Sequence, residues 1–317
     1  MGDAQPCCQC TNHQWSQFLH TSFARLIESS GDSFLPGTLY VLATPIGNLA
    51  DISARGIAAL TAADVVCAED TRVTGQLLKA YGLHAPRLVS LREHNERAMA
   101  EQVIGWLREG LKVVQVSDAG TPAISDPGAR LVEAVRGAGL PVCPLPGASA
   151  VITALSASGL TTPSFLFHGF LPPKSGERRR TLAQWREASY SVVCYEAPHR
   201  IIDTLQDIVA ELGTERRLFL ARELTKTFET LRTLPAGDML AFVQSDSNQQ
   251  RGEFVLIIDA AAAEEAEDGL APEVRHTLQI LAAELPTKQA AALAAQLTGA
   301  NKKTLYDYAL SLKTDRH

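Results

Sequence analysis

The residues able to do chemistry gather in short clusters along this chain. In VVQVSDAGTPAISDPG, Val113 to Gly128, the polar side chains Ser117, Asp118, Thr121 and Ser125 fall within nine positions, interleaved with Ala119, Gly120 and Pro122. Small residues let a ligand approach the backbone closely, and this set suits a ligand carrying hydroxyls and an amino-acid moiety. The fingerprints GxGxxG and GxxxxGK followed by Ser or Thr are absent from the stretch, which makes a pyrophosphate the poorer fit. A tight βα connection with no ligand is the alternative. Glu69 and Asp70 could act as an acid/base pair, or Asp70 could form a salt bridge with Arg72. His94, in LREHNE, titrates near neutral pH and could serve as a base, or cap an element at the surface. Tyr195, Glu196, His199 and Arg200 form a further cluster, and Arg222, Glu223 and Lys226 another. None completes a G-x-S-x-G elbow, an H-E-x-x-H motif or a Cys/His pair at telling spacing.

These clusters sit where strands end. LYVLA (Leu39–Ala43), DVVCAED (Asp64–Asp70), Arg87–Leu91, the β-branched run Val113–Val116 and Pro141–Leu145 read as strands. Helical patterns separate them over Ile52–Thr61, Arg72–Tyr81, Glu96–Arg108 and Ala129–Gly137, and Val151–Ser158 follows. Asp126 is the expected N-cap of the fourth helix, with Pro127 at its first position. Strands alternating with such helices predict βαβ units in a mostly parallel sheet, whose ligands bind beyond the carboxyl ends of the strands. Thr44–Asn48, Glu69–Arg72, Asp118–Ser125 and Pro146–Ala150 all lie there. Residues 164–260 read as a second, α+β domain, more antiparallel, with PPKSGERRR as a loop and a hairpin around Lys226–Thr233. An acidic, Ala-rich linker over Ala260–Gly269 precedes three short helices in 272–315, two of them about the TGAN turn in the manner of a helix-turn-helix. The resulting boundaries are 1–35 for a tail expected to be disordered, 38–160 for the α/β domain, then 164–260 and 272–315.

Composition narrows the function classes. A net charge of −6 gives the whole chain no footprint for nucleic acid, so such binding must be local, through Lys174, Arg178, Arg179 and Arg180 or the lysines of the last helices. No apolar run reaches membrane-span length, and the N-terminus has no secretory pattern. Cys67, Cys143 and Cys194 read as reduced core thiols of a cytosolic protein. Cys7, Cys8 and Cys10 with His13 lack the usual zinc spacing, so no metal is expected.

Six motifs in order, ATPIGNLAD, AEDTR, SDAGTPAISDPG, PLPGASA, YEAPHR and ARELTKTFE, resemble the tetrapyrrole-methylase-fold family, and within it the small-subunit ribosomal RNA (cytidine-2′-O)-methyltransferases. The resemblance covers about Thr38 to Ala260, and the helical tail resembles that branch's C-terminal extension. It implies an α/β, tetrapyrrole-methylase-like two-domain fold with a mostly parallel first sheet, a mixed second domain and a helical extension. It also implies a cytoplasmic homodimer that binds S-adenosylmethionine between the two domains. By motif, the cofactor contacts fall on Pro45, Ala119, Gly120, Thr121, Ile124, Ser149, Ala150, Tyr195 and Glu196. Leu224 transfers less directly, because RELTK departs from the Gly-Thr of tetrapyrrole-methylating relatives. The implied substrate is 16S rRNA in the small ribosomal subunit, methylated on the 2′-oxygen of cytidine 1402. Arg178, Arg179, Arg180, Arg200 and Lys226 are the expected RNA contacts. Asp70 is the favoured proton acceptor, with Glu69, Arg72 and His94 beside it. A methyltransferase acting on a small tetrapyrrole and a non-catalytic ribosome-binding protein are the alternatives.

Overall fold

The computed structural model describes residues 24–31, 33–261, 270 and 272–314. They divide into two compact units, residues 1–186 with 190–259, and residues 187–189 with 260–317. The first unit contains two five-stranded sheets. Residues 1–23, with Cys7, Cys8, Cys10, His13 and most of the expected tail, and the acidic stretch 262–269 lie outside the described residues.

The first sheet is all parallel, in the order β3-β2-β4-β1-β5. Its strands are β1 (Leu39–Leu42), β2 (Val65–Ala68), β3 (Leu88–Ser90), β4 (Val113–Val116) and β5 (Val142–Leu145). Between them run α1 (Ala54–Ala62), α2 (Thr71–Ala80), α3 (Glu96–Arg108) and α4 (Ala129–Gly137), and α5 (Ala150–Ser158) follows β5. Strand alternation explains why β2 and β4 read as unbroken buried runs. Val65, Cys67 and Val113 pack on Val103, Leu107, Leu131 and Val135 of α3 and α4. Val66, Ala68, Val114 and Val116 face the other way, toward Leu60 of α1 and Leu78 of α2.

The second sheet is mixed, in the order β6-β7-β10-β8-β9, with β6 and β7 parallel and the remaining pairs antiparallel. It comprises β6 (Phe165–Phe170), β7 (Ser191–Glu196), β8 (Arg217–Arg222), β9 (Thr230–Pro235) and β10 (Phe254–Ile258), with helices α6 (Ser175–Ala183), α7 (Ile201–Leu212) and α8 (Ala236–Ser245). Val193, Phe219, Val255 and Ile257 of this sheet share one apolar cluster with Ile46 and with Val151 and Ala154 of α5. The two halves are therefore joined by core packing beside the strand ends that carry the clusters.

Four expectations change. PPKSGERRR is not a loop: its Ser-Gly-Glu-Arg segment begins α6, because Arg178 and Leu182, one turn apart, both bury. Helix α4 starts at Ala129 with no side-chain cap, so Asp126 is not its N-cap. Glu96, the first residue of α3, does that work: its Oε1 accepts from the backbone N–H groups of Gly128, Arg130 and Leu131 at 2.9, 2.9 and 3.2 Å. Order also begins before Thr38, since residues 24–31 are helical, Phe34 is buried and its ring meets Tyr40 edge-on at 5.0 Å. Cys67 and Cys194 are buried thiols, whereas Cys143 is only partly buried.

In the second unit, α9 (Pro272–Glu284), α10 (Thr287–Thr298) and α11 (Lys302–Thr314) pack about Leu278, Ala290, Ala294, Leu305 and Ala309. Gly299, left-handed at φ 73, ends α10. Asn301 Oδ1 then accepts from Lys303 N at 2.8 Å and starts α11. No helix among the described residues is long and apolar enough to cross a membrane.

Candidate functional site

A cavity of about 310 Å³ opens where the carboxyl ends of β1 and β4 face the second sheet. Its floor is the central turn. The loops after β1 and β4 are tied by reciprocal backbone bonds, Thr44 N to Gly120 O at 2.9 Å and Gly120 N to Thr44 O at 3.0 Å. Thr44 Oγ1 donates to Ser117 O at 3.1 Å, and Thr121 Oγ1 donates to Ala148 O at 3.1 Å, which pins the turn to the loop before α5. Gly120 has φ 78, a conformation glycine adopts without cost. Ala123 and Ser125, at φ 68 and 64, have no such freedom, and each costs about 1–2 kcal/mol there. Across the cavity Glu223 and Thr225 are also left-handed, at φ 54 and 64. The loop after β1 lies directly on them, since a Cβ on Gly47 would come 2.6 Å from Lys226 Cγ and 2.8 Å from Thr225 Oγ1. Left-handed backbone thus stands in both segments beside the cavity, as it does at many ligand-binding sites.

The expected cofactor residues are brought together. Ala119, Gly120, Thr121 and Ile124 line the cavity from the central turn, Ser149 and Ala150 from the start of α5, and Tyr195 and Glu196 from the end of β7. Leu224 joins them, whereas Pro45 is buried behind its neighbour Ile46, which does form wall. The Tyr195 ring is held edge-on by Phe167 at 5.1 Å and Phe170 at 5.6 Å. Glu196 offers a ligand only its backbone. Its carboxylate, fully buried, accepts from Ala197 N at 2.7 Å, Arg200 Nε at 2.8 Å and Thr204 Oγ1 at 2.6 Å.

The expected catalytic and RNA-binding residues are dispersed. Asp70 caps α2, accepting from Arg72 N at 2.8 Å, and pairs with the Arg72 guanidinium at 2.5 Å. That guanidinium holds the Asp70 carboxyl well below the usual carboxylate range, which makes it a poor proton acceptor. Neither Asp70 nor the exposed His94 lines the cavity. Arg178 is buried, its guanidinium 2.6 Å from Asp207 Oδ2, and so presents no charge to phosphate. Arg200 is spent on Glu196 at 2.5 Å. Lys226 Nζ is neutralised between Glu223 and Glu253, at 2.8 and 2.9 Å. Arg179, half-exposed, pairs with Glu211 at 2.7 Å, and Arg180 is exposed with its Nε on Gly176 O.

Several residues of the cavity wall escaped the sequence reading, Phe170, Phe254 and Val255 among them, and the one with the most chemistry is Asp126. Asp126 lines the cavity, and burial, reinforced by the nearby charges of Glu69 and Asp118, pushes its carboxyl up to about 6. Burial and Asp118 likewise raise Glu69, at the end of β2. Burial, with Asp126 opposite, raises the Tyr195 phenol to about 12. Asp-Pro-Gly before an amphipathic segment is a cap signature, and it disguised Asp126 as a purely structural residue. Among the described residues no group of His, Cys, Asp and Glu is arranged to hold a metal ion.

Comparison with known proteins gives the family. The family model "Tetrapyrrole (Corrin/Porphyrin) Methylases" matches residues 38–240, and the "RsmI C-terminal HTH domain" matches 268–313. The chain is 55% identical, over 92% of its length and 99% of the relative, to the ribosomal RNA small subunit methyltransferase I of Neisseria meningitidis serogroup B. It is 50% identical to the protein of the same name from Escherichia coli O157:H7, over 86% and 95%. Among solved structures it resembles a cobalamin biosynthetic enzyme, cobalt precorrin-4 methyltransferase, with TM-score 0.52 and 18% identity over 70% of this chain and 94% of that one. It also resembles the methyltransferase CobJ, with TM-score 0.51 and 20% identity over 71% and 94%.

Proposed function

This chain belongs to the tetrapyrrole methylase family, and from that premise we propose that it methylates the RNA of the small ribosomal subunit, using S-adenosylmethionine and acting on the 2′-oxygen of cytidine 1402 of 16S rRNA. The observation that carries the reading is the convergence of the central turn, the start of α5 and the end of β7 on one mostly apolar cavity. Small side chains at Ala119, Gly120, Ser149 and Ala150 leave backbone groups open to a ligand, which fits a nucleoside joined to an amino acid. The curated relatives named for small-subunit rRNA methylation span nearly this whole chain, helical tail included. Tetrapyrrole methylation is disfavoured by RELTK in place of Gly-Thr and by the added helical unit.

Bound S-adenosylmethionine would supply an activated methyl group, and the protein's share is placement and exclusion of water. Ala119, Gly120 and Thr121 would hold the donor against the backbone, with Tyr195, fixed by Phe167 and Phe170, closing the opposite side. Among the described residues, the exposed Lys174, Arg179, Arg180, Lys288, Lys302 and Lys303 are cations available to RNA phosphate. A homodimer in the cytoplasm completes the reading. Incubating the purified protein with labelled S-adenosylmethionine and small subunits that lack the modification tests it. Label should enter the rRNA, and label entering only a tetrapyrrole precursor, or neither substrate, would overturn it.

A further inference from the structure

Asp126 reaches the cavity along an unusual backbone path. Ala123, Ser125 and Gly128 take φ of 68, 64 and 129, so the chain makes three left-handed steps around this residue. Because Glu96 supplies the cap of α4, the Asp126 carboxylate is released from the helix end it precedes. It faces Ser117 from the end of β4, Glu69 from the end of β2, Asp118 from its own turn and Tyr195 from β7, with no cation among the groups that perturb it. Glu253 lies on the same cavity wall system, but its carboxylate is engaged by Lys226 at 2.9 Å. Asp126 is thus a cavity carboxylate that neither a helix end nor an ion pair has claimed.

We propose that Asp126 is the catalytic proton acceptor for the hydroxyl that receives the methyl group. The inference rests on the methyl-transfer reading above. In the step, a substrate hydroxyl oxygen attacks the methyl carbon of the sulfonium donor. The O–C bond forms, the C–S bond breaks with its electron pair kept by sulfur, and the hydroxyl proton passes to the Asp126 carboxylate and then to water. A base works best when its pKa lies near the working pH. At about 6, Asp126 is ionised at neutral pH yet more basic than an ordinary aspartate, while Asp70 is held far to the acid side by Arg72.

The test uses the full chain, unmodified small subunits and single-turnover methyl transfer, alongside calorimetry of S-adenosylmethionine binding and infrared titration of carboxyl groups. Asp126→Asn should slow transfer by about two to four orders of magnitude, the usual yield of general-base catalysis, with donor affinity within about threefold of wild type. The acid limb of the pH–rate profile and the carboxyl band titrating near 6 should both vanish, and Asp126→Glu should restore part of the rate. Transfer by Asp126→Asn within about tenfold of wild type, or an unchanged acid limb, overturns the proposal. So does loss of donor binding in both variants, which would make Asp126 a binding residue. A wild-type protein that methylates a base nitrogen defeats the 2′-oxygen assignment instead, and the ratio of Asn to wild-type rates still decides the role of Asp126.

Discussion

Replacing Glu96 with alanine should do more harm than any single change in the cavity wall. Its carboxylate, on a residue 4% exposed, accepts three backbone N–H groups at the start of α4, and the bonds to Gly128 and Leu131 are themselves buried. A buried donor left without a partner costs about 1–3 kcal/mol, and the third, part-buried donor recovers some of its loss in water. The carboxylate also offsets the positive end of the α4 dipole. Together these give a loss of about 3–5 kcal/mol for Glu96→Ala, with a fall in Tm of about 10 °C for a unit of this size. Glu96→Gln keeps an acceptor oxygen in place and should cost about 1–2 kcal/mol. Because the turn carrying Thr121 and Asp126 runs straight into α4, S-adenosylmethionine affinity should fall with stability in the alanine variant. Urea denaturation and calorimetry measure the two effects. A loss below about 1 kcal/mol for Glu96→Ala would refute the account of how the turn is held.

Thr121→Arg should abolish S-adenosylmethionine binding while leaving the fold intact, since the change lies in a loop facing the cavity; wild-type affinity by calorimetry would remove the turn from the site. Arg178→Ala should destabilise by about 3–5 kcal/mol, because it leaves Asp207 buried without its cation, and chemical denaturation reads this directly. Neutralising Arg179 and Arg180 together should instead spare stability and reduce the salt dependence of rRNA binding by about one and a half to two in slope; an unchanged slope would leave α6 a solvated helix. The raised Asp126 carboxyl sets a pH dependence of its own. Its folded value lies above the unfolded one, so its ionisation weakens the fold as pH rises from about 4 through about 6. Asp126→Asn should therefore be more stable than wild type at pH 8 and indistinguishable from it near pH 3, and equal stability at pH 8 would contradict the burial of this group.

What the sequence made legible was local. The β-branched runs Val65–Val66 and Val113–Val114 bury on both faces, and a parallel sheet demands such runs. The small-residue turn after β4 read as a ligand-approach loop, with a bare βα connection as the alternative, because glycine and short side chains leave its backbone open. Some misreadings come from near neighbours, as where Arg72 holds Asp70 and Glu196 holds Arg200, and the others from partners distant in sequence. Asp126 looks like a cap until Glu96, 32 residues upstream of Gly128, takes the role. Three consecutive arginines look equivalent until Asp207, 29 residues beyond Arg178, draws one of them inside. Lys226 looks like a free cation until Glu253, just ahead of β10, joins its neighbour Glu223 on the ammonium. Propensity and periodicity are written residue by residue, whereas the choice among carboxylates and cations is made by tertiary packing.

The central claim, transfer of a methyl group to a ribose oxygen of small-subunit rRNA, is tested most directly by nucleoside analysis. Small subunits lacking the modification are incubated with the protein and S-adenosylmethionine, and the rRNA is digested to nucleosides and resolved by mass spectrometry. The account predicts one new species, 2′-O-methylcytidine, and none when the target position carries deoxycytidine, which lacks the accepting hydroxyl. A base-methylated cytidine, or methyl transfer to the deoxycytidine target, would contradict it.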